Sequence, residues 1–516
     1  MKRLFMFLLM LAAIPSAADS GPVVTVTGGK VRGAMLESGG AVFKGIPYAQ
    51  PPVAELRWRE PVPVKSWTGV RDATAFGPVC TQAPGIVPNA AEISREDCLY
   101  LNVWTPEWPG GAGKPVMVWI PGGGSTAGGS SQPWFDGQPL TRRGIILVTI
   151  NYRLGSFGFF AHPALTQESP HHASGNQGIL DQMAALTWVG DNIAAFGGDP
   201  RNVTLFGESA GSLDVSVLMT SPLAKGLFAR VIGESGAVIL NGDPLTLRQA
   251  EQRGLESAAS WKVPSGASVQ DLRAVPAAVI LAAQTSATAT RLPNLGITID
   301  GYVFSESPEQ AFASGRELRV PLLLGNNSNE QLPGSTPPQD MVGAIDQAYG
   351  PLAPAAHALY VGTRDPLYGT PAQQWATDTS FRCSAVAQLM WHAAAGNPSF
   401  EYEFAHFPRE RQALGATHAS ELAHVFGTVQ LNFFGVGPPA KSTDVDTQIS
   451  NSMQRYWTNF AKAGDPNGAN LPRWPKFDVT ARAYMQFTDA GPAPKEGLRR
   501  SFCNLYIENA IRLMPK

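Results

Sequence analysis

Four short, almost wholly apolar runs constrain this chain more than any other feature: VMVWI (116 to 120), IILVTI (145 to 150), VTLF (203 to 206) and PLLLG (321 to 325). A strand with one wet face alternates apolar and polar residues, whereas a strand covered on both faces is apolar throughout. The runs therefore predict parallel strands buried between two layers. Between them, GILDQMAALTWVGDNIAAF (178 to 196) places Ile179, Met183, Leu186, Ile193 and Phe196 at helical spacing. The N-terminal VVTVTGGKVRG instead alternates about Gly28 and Gly29, which predicts a hairpin. Together these patterns predict an α/β chain with a mostly parallel central sheet covered by helices. Residues 244 to 290, rich in Ala, Gln, Arg and Ser, predict an inserted helical layer over the active site, and GPAPKEG (491 to 497) a surface loop.

The first twenty residues place Lys2 and Arg3 before an apolar run from Leu4 to Ile14, followed by Ser16, Ala17 and Ala18. That is the pattern of an export signal over 1 to 18, and its apolar run is too short to span a bilayer. Residues 19 to 516 contain no low-complexity linker, so they are read as one domain of a periplasmic or secreted protein without stable membrane insertion. A net charge of -2 with both signs interspersed leaves no footprint for nucleic acid. An exported chain should pair its four cysteines, Cys80, Cys98, Cys383 and Cys503; three pairings are possible, with Cys80 and Cys98 the favoured first pair. His418, Glu421 and His424 do not form H-E-x-x-H, so no metal is expected, and no cofactor motif stands out.

Gly207-Glu208-Ser209-Ala210-Gly211 follows the run VTLF and precedes SLDVSVLM, the strand, tight turn and helix that G-x-S-x-G requires. The flanking glycines let the backbone turn sharply and expose Ser209 at the tip. A serine needs a base to take its proton, and the base needs a carboxylate to orient it. In the order Ser, acid, His, the histidines after Ser209 are the candidates. His357 and His392 fall in Ala-rich helical stretches; His418 lies in a turn before a helix, and His406, directly after FEYEF, is the alternative. Glu330 ends the polar loop GNNSNE after PLLLG and is the candidate acid, with a solvated loop carboxylate as the plainer reading. Pro121-Gly122-Gly123-Gly124 after VMVWI, with the N–H of Ala210, offers donors to an oxyanion.

These segments resemble the type B carboxylesterase family, which includes para-nitrobenzyl esterases and cholinesterases, over nearly the whole mature length. FGGDPRNVTLFGESAG (196 to 211) is similar to its nucleophile signature and EDCLYLNVWTP (96 to 106) to its second one. FKGIPYAQPP (43 to 52), NYRLGSFGF (151 to 159), VPLLLGNNSNE (320 to 330), GATHASE (415 to 421) and YWTNFAKAGDPNG (456 to 468) extend the match. The resemblance implies an α/β-hydrolase fold with helical insertions and hydrolysis of a small-molecule ester by Ser209, His418 and Glu330. Gly123, Gly124 and Ala210 would hold the oxyanion. It also implies Cys80–Cys98 and Cys383–Cys503 disulfides and the ion pairs Arg57–Glu96 and Arg153–Asp181. Pro121 stands where the family usually has histidine and Ser125 where it has a bulky aromatic, so Ser125 predicts a substrate pocket that admits larger esters. The family also contains adhesion proteins that have lost triad members; this chain keeps all three.

Overall fold

In a computed structural model the described residues are 21–238, 244–285, 297–331, 340–360, 362, 364–407, 414–431 and 441–514. The expected export signal at 1 to 18 lies outside them. The hairpin forms as β1 (Val23–Val26) and β2 (Gly29–Arg32), antiparallel across Gly28 at φ 98°.

Among the described residues, eleven strands make the main sheet. They are β3 (Ala34–Met35), β4 (Ala41–Pro47), β5 (Tyr100–Thr105), β6 (Lys114–Ile120), β7 (Ile146–Ile150), β8 (Gly198–Glu208), β9 (Arg230–Glu234), β10 (Leu322–Asn327), β11 (Ser399–Phe404), β12 (Ala483–Thr488) and β13 (Gly491–Glu496). Their spatial order is β13-β12-β11-β10-β9-β8-β6-β7-β5-β4-β3. From β12 to β7 every pairing is parallel, and the pairings outside that block are antiparallel. All four apolar runs fall in the parallel block, as burial on both faces demands.

The two faces feed two cores. Along β6, Val116, Val118 and Ile120 join Ile179, Met183 and Leu186 of α1 (Gln177–Asn192) and Leu213 of α2 (Ala210–Leu218), while Met117 and Trp119 point the other way. There they meet Met453, Trp457 and Phe460 of a long helix near the C-terminus. Each such side chain contributes about 1.5–3 kcal/mol by leaving water, so a polar residue in any of these runs would weaken one core directly.

The segment after 244 is helical, as predicted: α3 (Leu247–Ser260), α4 (Val269–Arg273) and α5 (Ala277–Thr285), the first two opened by capping boxes from Thr246 and Ser268. The expected layer's last residues, 286 to 290, fall outside the described ones. It has its own core of Trp58, Phe157, Phe160, Trp261, Leu272 and Ile280. GPAPKEG is not a loop. Residues 491–496 form β13 at the sheet edge, antiparallel to β12. Pro492 and Pro494 suggested a loop, but a strand with a free outer side tolerates prolines that donate nothing.

Two disulfides, Cys80–Cys98 and Cys383–Cys503, join the pairs that the resemblance implied. The second fastens α6 (Cys383–Ala394) to the C-terminal helix, Arg500–Leu513. Arg57 Nε donates to Glu96 at 2.7 Å and Arg153 Nε to Asp181 at 2.7 Å. Losing either partner of the fully buried second pair would strand a charge, at about 3–5 kcal/mol. Among the described residues, no helix is long and apolar enough to cross a membrane.

Candidate active site

β8 ends at Glu208 and α2 begins at Ala210, so the chain must reverse direction at Ser209 alone. It does so with φ 57° and ψ -122°, a conformation that L-residues adopt only when the surroundings hold it. Those surroundings require glycine on both sides. A Cβ at Gly207 would lie 2.5 Å from the Gly211 carbonyl oxygen, and one at Gly211 2.1 Å from that of Ile120. The Ser209 N–H donates to the Glu234 carbonyl at 2.8 Å, and the side chain is partly exposed.

The segment after β6 packs against this turn. A Cβ at Gly122 would stand 3.0 Å from Ser209 Cβ. Gly123 and Gly124 come next, with φ 120° and 63°, and the Gly123 carbonyl accepts from the N–H groups of Thr126 and Ala127. Among the described residues neither Gly123 nor Gly124 donates its own N–H to a protein acceptor. Ser125 also has positive φ, 54°, and is 2% exposed, its carbonyl accepting from Gly155 N at 2.7 Å. A side chain so buried offers a substrate almost no surface in this conformation.

The loop after β10 carries Glu330, whose Oε1 accepts from the Asn327 N–H at 2.6 Å and from Ser235 Oγ at 2.7 Å. Its Oε2 lies 2.6 Å from Nδ1 of His418. Nε2 of His418 lies 3.0 Å from Glu208 Oε1, the carboxylate next to Ser209 in the chain. The structure thus brings His418, Glu330 and Glu208 into one buried group beside the turn that presents Ser209. His406, the alternative base, points elsewhere, its two ring nitrogens facing Asp446 and Asp489. His357 pairs with Asp346 and His392 with Glu317.

Acidic groups crowd this site. Burial works against a charge on His418, but Glu208 and Glu330 outweigh it and lift its pKa to about 9. Burial lifts Glu208 to about 8 against the pull of His418, with Glu421 and Glu330 adding repulsion. A proton on Glu208 removes part of the charge that lifts His418, and Glu330 supplies the rest. Burial and Glu330 raise Glu421 to about 7, and burial with Glu421 raises Glu234. Glu421 accepts from Asn327 Nδ2 at 2.6 Å, and Glu234 from Trp457 Nε1 at 2.7 Å.

Sequence reading leaves Glu208 between chemistry and scaffold, tests Glu421 only as a metal ligand, and passes over Glu234 and Ser235. One signal is available: GES occurs twice, at 207 to 209 and 233 to 235.

The carboxylesterase family model matches residues 20–343 and 366–506. The chain belongs to the carboxylesterase family. It is 36% identical over 487 residues to a fumonisin B1 esterase of Sphingopyxis macrogoltabida, covering 92% of this chain and 88% of that one. It is 37% identical over 484 residues to the para-nitrobenzyl esterase of Bacillus subtilis, covering 90% and 94%. The solved carboxylesterase of Geobacillus stearothermophilus superposes with a TM-score of 0.80 at 34% identity, over 94% of this chain and 99% of the other. These relatives are carboxylic ester hydrolases, and the large mixed sheet flanked by helices is the α/β-hydrolase fold of this family.

Proposed function

We propose that this family member is a serine carboxylesterase acting through an acyl-enzyme. Ser209 Oγ attacks the ester carbonyl carbon and its proton passes to His418 Nε2, while Nδ1–H stays bonded to Glu330. The oxyanion gathers the N–H groups of Gly123, Gly124 and Ala210, the last at the N-terminus of α2, where negative charge is favoured. The alcohol departs with the proton from His418. A water deprotonated by His418 then attacks the acyl carbon, and Ser209 regains its proton.

The observation that carries this reading is the 2.6 Å contact between His418 Nδ1 and a Glu330 whose other oxygen accepts two further hydrogen bonds. A carboxylate held at three points fixes the imidazole's orientation and tautomer, which is what a base beside a serine needs. On this reading the contact of Nε2 with Glu208 belongs to the resting enzyme and yields to Ser209 Oγ as the substrate is seated. The protein is exported through residues 1 to 18 as the single domain 19 to 516, which suits its two disulfides. Its substrate is a small ester, and Ser125 acts on pocket size only through the shape of the loop it ends.

A fluorophosphonate ester tests the reading. It should label one residue, Ser209, as located by mass spectrometry of the digested protein, and activity towards para-nitrophenyl acetate should be lost in step with labelling. Label on another serine, or full activity after complete labelling, would overturn it. A para-nitrophenyl series from acetate to palmitate then gives the acyl preference.

A further inference from the structure

Four segments meet in a cluster that contains none of the proposed catalytic residues. His406 follows β11, His424 lies on α7 (Leu422–Phe426), Asp446 is in the first turn of α8 (Asp444–Ala463), and Asp489 follows β12. His406 Nε2 lies 2.9 Å from Asp446 Oδ1, and His424 Nε2 3.5 Å from the same oxygen. One ligand atom from each of His406, His424 and Asp446 falls within 4.8 Å of the other two, and all three residues are buried. The outward-facing atoms are tied down. His406 Nδ1 faces Asp489 Oδ1 at 2.7 Å, and Asp446 Oδ2 accepts from Thr443 N and Oγ1, each at 2.7 Å. His424 is the exception: 6% exposed, neither ring nitrogen has a hydrogen-bond partner of normal geometry among the described residues.

We propose that this cluster binds one divalent transition cation, Zn2+ foremost, through His406 Nε2, His424 Nε2 and Asp446 Oδ1. Nitrogen and oxygen ligands about 2.0–2.1 Å from a tetrahedral zinc stand about 3.3–3.5 Å apart. The 3.5 Å separation already suits that, the 2.9 Å one needs a few tenths of an ångström, and the two histidine nitrogens, within 4.8 Å, must come to the same spacing. Two imidazoles with one carboxylate select zinc and its neighbours over Ca2+ or Mg2+, which take all-oxygen sets. Asp489 supplies the outer carboxylate typical of such sites: holding the proton on Nδ1, it leaves the Nε2 lone pair facing inward. The cation also explains why a histidine is buried at 424 with only weak contacts to Asp446 and the Ser420 backbone, where an aromatic hydrocarbon ring would pack at less cost. Its place in the fold is structural. α7 begins just after Glu421, so a cation on His424 would pin the segment that carries His418 to the ends of β11 and β12 and to the start of α8.

The test uses the full chain without a histidine tag, stripped with EDTA and dialysed. Calorimetric titration with Zn2+, and elemental analysis after gel filtration, should give one ion per chain, with a rise in Tm. His424→Phe, which keeps a ring against Phe404, and Asp446→Asn, which keeps the α8 cap, should each abolish stoichiometric binding. Asp489→Asn, at a largely exposed side chain, should fold normally and weaken Zn2+ by about 10- to 100-fold. Failure of the wild type to retain more Zn2+ than His424→Phe would overturn the proposal. Equal affinity in the wild type, Asp446→Asn and Asp489→Asn would also overturn it, by placing the ion elsewhere.

Discussion

The strands β8 and β9 lie side by side in parallel and end on the same two residues, each then continued by a serine. Gly207 pairs with Gly233 and Glu208 with Glu234, and both serines have positive φ, 57° at Ser209 and 55° at Ser235. Each serine N–H donates 2.8 Å across to the next strand, Ser209 to Glu234 and Ser235 to Gly325. Beyond the serines the two segments part. Ser209 opens a helix and stays partly exposed; Ser235 is fully buried, with Gly236 so tightly packed that a Cβ there would lie 2.4 Å from the Ser209 carbonyl oxygen. The tripeptide and its strained backbone are therefore not what distinguishes a nucleophile. In the proposed mechanism one GES presents a serine to substrate and the other spends its serine on the acid that orients the base.

Substitutions at paired positions can break that division of labour. Ser209→Ala should lower kcat by about a millionfold without unfolding the protein, and Glu330→Gln by about a thousandfold or more, because the amide no longer holds the imidazole in the right tautomer. Ser235→Ala removes one hydrogen bond from the Glu330 carboxylate, worth about 1.5–3 kcal/mol, so kcat/KM should fall only about 10- to 100-fold. A Ser235→Ala enzyme as dead as Ser209→Ala would show that the two serines are not divided as proposed.

The glutamates give a finer contrast through pH. Catalysis needs neutral His418, and Glu208 raises the pKa of that histidine. Glu208→Gln removes the charge, so the acid limb of kcat/KM should move to lower pH, by about a unit or more; an unmoved limb would mean that Glu208 is already protonated whenever the enzyme works. Stability responds in the opposite sense to the usual carboxylate. A folded pKa of about 8 lies above the unfolded value near 4.5, so this stabilisation is complete below about pH 4.5 and is lost as pH rises towards 8. Glu208→Gln should flatten that slope of Tm against pH. Glu234→Gln should do least: the amide oxygen can still accept from Trp457, and the change replaces a carboxyl whose charge burial already disfavours. Its kcat should stay within about threefold and its stability within about 1 kcal/mol of wild type.

The parallel strands and the turn at Ser209 were legible because each is written in a few adjacent residues. The contact of Glu330 with His418 was not, since 88 residues separate them. Position and turn residues left His406 open as the base, and the family resemblance singled out His418. β9 passed unnoticed because its apolar run, Val231 and Ile232, is too short to stand out, and with it went Ser235. β13 was misread because prolines speak for a loop until the edge of a sheet is in view. The cluster of His406, His424 and Asp446 leaves no local signature, being assembled from separate elements.

The contact of Gly211 with the Ile120 carbonyl governs how such a molecule can be altered by evolution or design. Any side chain at 211 would drive α2 away from β6, and with it the serine from the glycine loop, so the two can change only in concert. The helices α3, α4 and α5 pack on an apolar core separate from those of the sheet. Variation can accumulate in that layer with the cores of the sheet left intact, whereas the glycines at 122, 207 and 211 leave no room for a side chain.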